Sequence, residues 1–139
     1  MPATPREGTP RPPYERLTAW IACHELVLAL FRVSRSWPPE ERHGLTALAR
    51  RAAYLAAARL VEGSSKQGSR EFRRLLDLSI GSLGELGYVL RVLKELELVG
   101  VESWGELEAL RDHAARLTWG LYLAAGRGTK KVAKGKDAP

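Results

Sequence analysis

The chain has 139 residues, of which 45% are hydrophobic and 27% charged, with a formal net charge of +6 at pH 7. This length fits one domain with a buried core, and the apolar content excludes a chain that is disordered throughout. The single cysteine, Cys23, excludes an internal disulfide, and no apolar run reaches the roughly 18 residues of a membrane span. We therefore expect a soluble, cytoplasmic protein.

Composition divides the chain into three regions. Residues 1–13 are rich in proline and lack the apolar segment of a signal peptide, so we expect a disordered arm. Residues 14–126 are predicted to form the folded domain. Residues 127–139 are predicted to be a disordered basic tail.

Helical spacing dominates the central region, and we find no strand-type alternation. The Trp37-Pro38-Pro39 run ends the first helix, and Glu40 and Glu41 are expected in the first turn of the second. Ser69 is the expected N-cap of the third helix, and Ser103 with Glu106 forms a capping box for the fourth. The predicted helices span 14–36, 40–63, 69–100 and 103–126. Short turns between them predict an all-α, antiparallel up-down four-helix bundle.

The third helix has the clearest buried face, because its apolar residues follow a continuous 4-3 spacing. The seam consists of Phe72, Leu76, Ser79, Leu83, Leu86, Leu90, Leu93 and Glu97.

The first helix carries two apolar stripes, which is more than one bundle is expected to bury. The stripe expected to face the core is Leu17, Trp20, Ile21, His24, Val27, Leu28 and Phe31. The second stripe is Ala19, Cys23, Leu26, Leu30 and Val33. We predict that this second stripe, together with Trp119 on the fourth helix, forms an oligomer interface.

Recognisable catalytic and metal-binding motifs are missing from the sequence, so we expect no enzyme activity, no metal and no cofactor. His24-Glu25 lacks the second histidine of a zinc-protease helix, and a buried, hydrogen-bonded His24 is the better interpretation. Gly81, Gly84 and Gly87 lie inside a leucine-seamed helix, where a dinucleotide loop does not fit. They are expected to allow close approach of another helix.

Basic residues suggest a nucleic-acid partner. Residues 40–74 hold eight basic and four acidic side chains, whereas 75–126 hold four basic and eight acidic. The predicted phosphate contacts are Arg50, Arg51, Arg59, Lys66, Arg70, Arg73 and Arg74, with Lys130, Lys131, Lys134 and Lys136 in the tail. A solvated charged surface explains the helical part of this set equally well. Arg59 falls on an apolar stripe, so we expect it either to pair with Glu62, Glu25 or Glu97 or to reach into an oligomer channel.

Several short segments resemble the four-helix bundle proteins encoded in intervening sequences of bacterial large-subunit ribosomal RNA genes. The resemblance covers roughly Thr18 to Leu98. Its segments are Trp20, His24-Glu25-Leu26-Val27, Trp37-Pro38, Glu40-Glu41-Arg42, Gly44-Leu45, Leu48, Arg50-Arg51-Ala52-Ala53, Glu62-Gly63, Glu71-Phe72, Gly81-Ser82-Leu83 and Glu85-Leu86. Ala57 and Arg59 depart from the family's usual Pro and Asn.

The resemblance implies a ring-like homopentamer without enzyme activity. One branch of the family, the accessory variability protein of diversity-generating retroelements, binds nucleic acid and a reverse transcriptase, and the basic tail here is similar to that branch. The resemblance therefore implies a nucleic-acid-binding accessory protein whose partners are itself, RNA or DNA, and a reverse transcriptase. The alternative is a protein-only scaffold that presents the acidic face of helices three and four.

Overall fold

Four α-helices make up most of the computed structural model, which describes residues 11–66 and 68–137, and the side chains as far as Arg127. They are α1 (Thr18–Val33), α2 (Leu45–Ser64), α3 (Ser69–Glu95) and α4 (Val101–Asp137). Short 3-10 turns at Pro13–Arg16, Ser34–Ser36 and Pro39–Glu41 flank α1 and precede α2. No β-strand occurs within these residues.

Each helix packs against two others, so the four form a closed ring around a shared core. α1 contacts α2 and α4, and α3 contacts the same two helices from the other side. Because the connections are short, successive helices run in opposite directions. The predicted four-helix bundle is confirmed. None of the helices in the described residues combines the length and hydropathy that a membrane-spanning segment requires.

The core joins an alanine face of α2 to a leucine face of α3. The buried side chains of α2 are mostly small, including Ala49, Ala52, Ala53 and Ala56. The buried leucines of α3 fill the space that these alanines leave, as alternating large and small residues do in well-packed cores. The predicted α3 seam is confirmed from Leu76 to Leu93, whereas Glu97 lies exposed beyond the helix end.

The two apolar stripes of α1 face the opposite sides from those that we predicted. Ala19, Cys23, Leu26 and Leu30, which we expected at a subunit interface, are 0–1% exposed in the core of the single chain. The stripe expected in the core instead leaves Ile21, His24, Leu28 and Phe31 exposed. Periodicity finds both stripes, but small side chains such as Ala19 and Cys23 let α1 approach its neighbours, whereas bulky aromatic rings fit better outside. Val33 is half-buried and Trp119 is exposed.

The second helix begins later than predicted. Glu40 and Glu41 belong to a separate 3-10 turn, and α2 begins at Leu45. Glu41 still caps the helix, because its Oε2 accepts a hydrogen bond from the Leu45 amide at 3.1 Å. A Cβ on Gly44 would lie 2.8 Å from the same carboxylate oxygen, so a side chain there would displace the Glu41 carboxylate from its capping position.

The third helix also differs from the prediction at both ends. Gly68 occupies the N-cap in place of Ser69, with a φ of 108° that favours glycine. At the other end the amides of Glu97 and Leu98 donate to the carbonyls of Lys94 and Leu93 at 3.0 and 2.9 Å. This is a Schellman arrangement with Glu97 in the left-handed region at a φ of 58°, and it ends α3 before Gly100.

The fourth helix extends beyond the predicted bounds in both directions. It begins at Val101, so Ser103 and Glu106 lie inside it and form no capping box. It does not end at Gly126, because the backbone remains helical to Asp137. The part of the predicted basic tail up to Asp137 therefore continues α4. Lys130, Lys131, Lys134 and Lys136 have side chains outside the described residues.

Candidate nucleic-acid interface

The predicted phosphate contacts occupy opposite ends of the bundle. Arg50 and Arg51 lie near the start of α2, whereas Lys66 follows its end and Arg70 opens α3. Arg50 and Lys66 lie 16 positions apart, and a helix of that length spans about 24 Å. These arginines therefore form two separate basic regions, and Arg59 lies between them.

Arginines at the beginning of α3 lie beside aromatic rings near the middle of α4. We call Arg70, Arg73, Trp119 and Tyr122 the arginine–aromatic cluster. The Arg73 guanidinium carbon lies 4.4 Å from the centre of the Tyr122 ring. Tyr122 in turn stacks on Trp119, with ring centres 5.4 Å apart and ring planes 22° from parallel. Arg70, Arg73 and Tyr122 line a common shallow groove with Arg74 and Asp77.

Arg73 is held tightly between two helices. A Cβ on Gly126 would lie 3.0 Å from three atoms of the Arg73 side chain, so the absence of a side chain at Gly126 makes room for the guanidinium. The Arg73 Nε is buried and has no hydrogen-bond partner among the described residues. Burial without a partner is unfavourable for such a donor.

Two other arginines, Arg74 at this end and Arg59 on α2, are partly neutralised by carboxylates. Arg74 donates to Glu71 through Nη2 at 2.7 Å and Nε at 3.2 Å, and this hydrogen bond lowers the pKa of Glu71. Arg59 donates through Nη1 to Glu62 Oε2 at 3.1 Å, which confirms one of the three expected partners. Arg70 and Arg73 form no ion pair with any described residue, so their charge is the more available for phosphate.

One further expectation is wrong, and another holds only in part. His24 is exposed and stacks on Trp20, with ring centres 4.8 Å apart, so it is not a buried histidine. A Cβ on Gly81 or Gly84 would meet no atom within 4 Å, so no helix of the same chain approaches them closely. Only Gly87 is approached, by the Arg111 side chain. Within the described ranges, no three His, Cys, Asp or Glu side chains are grouped closely enough to hold a metal ion.

A comparison of the sequence with known families agrees with this bundle. The pattern of the 23S rRNA-intervening sequence protein family matches residues 15–120. The chain belongs to this family. The match includes α1, α2, α3 and the part of α4 that carries Trp119, whereas Tyr122, Gly126 and the basic segment that follows lie beyond it. A search of curated proteins finds no significant match.

This member of the 23S rRNA-intervening sequence protein family carries its second basic region at the corner between α1 and α2. Arg51 is exposed there, and Arg50 is half-buried beneath α1. Sequence reasoning missed Arg35 and Arg42, which line the same corner. They lie outside the periodic stripes. From the sequence, the Trp37 region predicted only the end of a helix and not the turn that brings these arginines together.

Proposed function

We propose that this chain is a non-enzymatic, nucleic-acid-binding accessory protein that acts as a homopentamer. Its proposed partner is the reverse transcriptase of a diversity-generating retroelement. The observation that supports nucleic-acid binding best is the arginine–aromatic cluster, because it places unpaired guanidinium groups beside stacked, accessible rings. Proteins that bind single strands combine these two features, with cations for the phosphates and aromatic faces for the bases.

Trp119 is the ring best placed to stack on a base. Its side chain is 50% exposed, whereas one face of Tyr122 is occupied by Arg73. A base that stacks on Trp119 brings its phosphate towards Arg70 and Arg73 at the beginning of α3. Stacking of this kind tolerates any base, so we expect little dependence on sequence.

The segment after the cluster adds cationic charge. Arg127 is exposed on α4 one residue after Gly126, and four lysines follow it in the sequence. Lysine-rich segments attract phosphate backbones without reading the bases, and they make the affinity strongly dependent on salt. We propose that this segment extends the path of a strand bound at the cluster.

Assembly into a ring is supported by apolar surface that the single chain leaves uncovered. Ile21, Leu28 and Phe31 on the outer face of α1 are 42%, 40% and 39% exposed. We call these three residues the outer stripe. Copies that pack through the outer stripe cover this surface, and a ring repeats the arginine–aromatic cluster around its axis. Repetition of the charge raises the attraction for a polyanion.

Binding of single-stranded RNA and DNA, measured by fluorescence anisotropy over a range of salt concentrations, tests the proposal. The affinity should fall steeply with salt, with a slope of about −0.7 for each phosphate neutralised on a single strand. The double variant Arg70→Gln with Arg73→Gln should reduce the slope by about 1 to 2. Arg91→Gln removes the same kind of charge from the far end of α3 and should change little.

Aromatic variants separate stacking from charge. Trp119→Ala should weaken single-strand binding about tenfold with little change in the salt slope, since it removes one stacking platform. Tyr88→Ala is the control, because Tyr88 is an exposed ring on α3 away from the cluster. Salt-insensitive binding, or equal losses in Trp119→Ala and Tyr88→Ala, would contradict the proposed interface.

The partner requires a separate test. A reverse transcriptase gene and a template repeat beside this gene, together with co-purification of the two proteins after nuclease treatment, would support the retroelement role. The competing scaffold hypothesis relies on acidic residues of α3 and α4, yet Glu95, Glu108 and Asp112 pair with arginines on their own helices. A stable protein complex without retained nucleic acid would favour the scaffold.

A further inference from the structure

A partly enclosed pocket lies at the corner where the chain passes from α1 to α2. Its volume is about 230 Å³. We call it the corner pocket; it is lined by Ser34, Arg35, Trp37, Pro38, Pro39, Arg42, Thr46 and Arg50. Three of these residues are arginines and none carries a carboxylate, so the lining is cationic.

Arg50 is held in place before any ligand binds. Its Nε donates to Ser34 Oγ at 2.8 Å, and its guanidinium carbon lies 5.1 Å from the centre of the Phe31 ring. Ser34 donates its own hydrogen to the Phe31 carbonyl, so its oxygen is free to accept from Arg50. The two terminal nitrogens of Arg50 donate to no described acceptor. Arg50 thus presents a fixed pair of donors.

Two buried donors in the same lining lack partners. Trp37 and Thr46 are 6% and 4% exposed, and neither Trp37 Nε1 nor Thr46 Oγ1 has a hydrogen-bond partner among the described residues. Buried polar groups are nearly always paired in folded proteins, so we expect each of these two donors to find an acceptor outside the described residues.

We propose that the corner pocket binds a phosphate monoester, carried either by a nucleotide or by the 5′ end of a nucleic-acid strand. A phosphate monoester carries close to two negative charges at neutral pH and offers acceptor oxygens, which match three guanidinium groups and two orphan donors. The pocket can hold a phosphate group and the atoms next to it. It lies at the opposite end of α2 from the arginine–aromatic cluster, so the two sites can be tested apart.

The indole N–H signal of Trp37 in a 15N–1H spectrum of the full chain reports on the pocket directly. The chain has four tryptophans, and Trp37→Phe assigns the signal. Titration with inorganic phosphate should shift this signal to saturation at an ionic strength held constant with chloride, and adenosine 5′-monophosphate is titrated separately to identify the source of the phosphate. A linear, non-saturating drift would overturn the proposal.

Substitutions of pocket residues distinguish a specific phosphate site from a general attraction of phosphate to positive charge. Arg42→Gln and Arg35→Gln should each weaken phosphate binding about tenfold, since each removes a charge-assisted hydrogen bond. Arg32→Gln is the matched control, because Arg32 is exposed one turn before Arg35 and does not line the pocket. Equal losses in Arg32→Gln and Arg35→Gln would overturn the proposal.

Thr46→Val separates a ligand contact from a purely structural role. The variant removes an unpartnered buried hydroxyl, so we expect a higher Tm in phosphate-free buffer and weaker phosphate binding. A structural hydroxyl would give a lower Tm instead. If Thr46→Val binds phosphate as well as the unmodified chain does, the assignment of Thr46 to the site is wrong.

Oligonucleotides that differ only in a 5′-phosphate or a 5′-hydroxyl identify the source of the phosphate. They are titrated into the double variant Arg70→Gln with Arg73→Gln, in which the cluster no longer contributes. Saturation by the 5′-phosphorylated strand alone assigns the pocket to strand ends, whereas saturation by adenosine 5′-monophosphate alone assigns it to nucleotides. If the unmodified chain does not bind single strands in a salt-dependent way but keeps the Trp37 response to phosphate, the proposed function is refuted and the pocket stands.

Discussion

The sulfur of Cys23 lies 3.9 Å from the hydroxyl oxygen of Thr118, and this contact joins α1 to α4 in the middle of the bundle. Thr118 donates its hydrogen to the Ala114 carbonyl at 2.7 Å. Because a threonine hydroxyl has one hydrogen, the Cys23 thiol must be the donor in the contact with Thr118. The contact shows that the stripe containing Cys23 faces inward.

Cys23 should be unreactive while the chain is folded. Burial raises the pKa of the Cys23 thiol to about 11, so the nucleophilic thiolate is scarce at neutral pH. We expect a disulfide reagent such as DTNB to label the native protein only as fast as it opens, and the chain in denaturant at once. Rapid labelling of the native protein would show that the stripe is accessible.

The same thiol should make stability fall at high pH. Its folded-state pKa of about 11 exceeds the ordinary 9.0, so the stabilisation is complete below pH 9 and is lost as the pH rises toward 11. The two-unit difference corresponds to about 2–3 kcal/mol. Urea unfolding from pH 8 to 11 should therefore show a steeper loss for the unmodified chain than for Cys23→Ala, which has no thiol to ionise. Parallel curves would contradict the predicted shift.

Ser79 links the two most closely packed helices. Its hydroxyl donates to the Ala56 carbonyl at 2.8 Å, and both residues are fully buried. Ser79→Ala should lower the free energy of unfolding by about 1 kcal/mol, because it removes this hydrogen bond without adding volume. Ser79→Leu should cost more than Ser79→Ala, since α3 and α2 must separate to admit it. Denaturant unfolding measures both, and Ser82→Ala, at a half-buried serine on the same helix, is the control.

Glu97 occupies a backbone conformation that suits glycine. Its φ of 58° lies in the left-handed region, and its exposed side chain forms no ion pair with a described residue. Glu97→Gly should raise the free energy of unfolding by about 0.5–1 kcal/mol, because it relieves the Cβ clash at the end of α3. Glu95→Gly, inside the last turn of α3, should destabilise instead. Thermal unfolding distinguishes the two, and a lower Tm for Glu97→Gly would contradict the assignment.

The outer stripe should determine whether copies of the chain assemble, whereas the buried stripe that contains Cys23 should not. Ile21→Lys with Leu28→Lys places two charges on exposed positions, so the monomer should keep its helical content while any oligomer dissociates. Size-exclusion chromatography with light scattering measures the mass. Val101→Lys is the control, since Val101 is an exposed apolar residue away from α1. A purified chain that is already monomeric at high concentration would refute the pentamer.

Local sequence signals were sufficient to predict the four helices. The Trp37-Pro38-Pro39 run ends the first helical region because proline cannot continue a helix, and the leucines of α3 lie on one face because their spacing follows the helical repeat. Both properties depend only on neighbours along the chain. The family resemblance, which rests on short segments of the same helices, is confirmed by the match over residues 15–120.

Contacts between residues far apart in the sequence decided which side chains are buried and which are paired. Spacing identified both stripes of α1, but only the close approach of α4 at Thr118 selects the stripe of Cys23 for the core. Gly126 looked like a helix end, yet it is the place where Arg73 packs against α4. The corner pocket could not be predicted from the sequence, because Arg35, Arg42 and Arg50 do not share one helix face. They come together only where the chain turns at Trp37. Periodicity shows which residues share a side of a helix, whereas burial and pairing depend on the size and charge of what packs against that side.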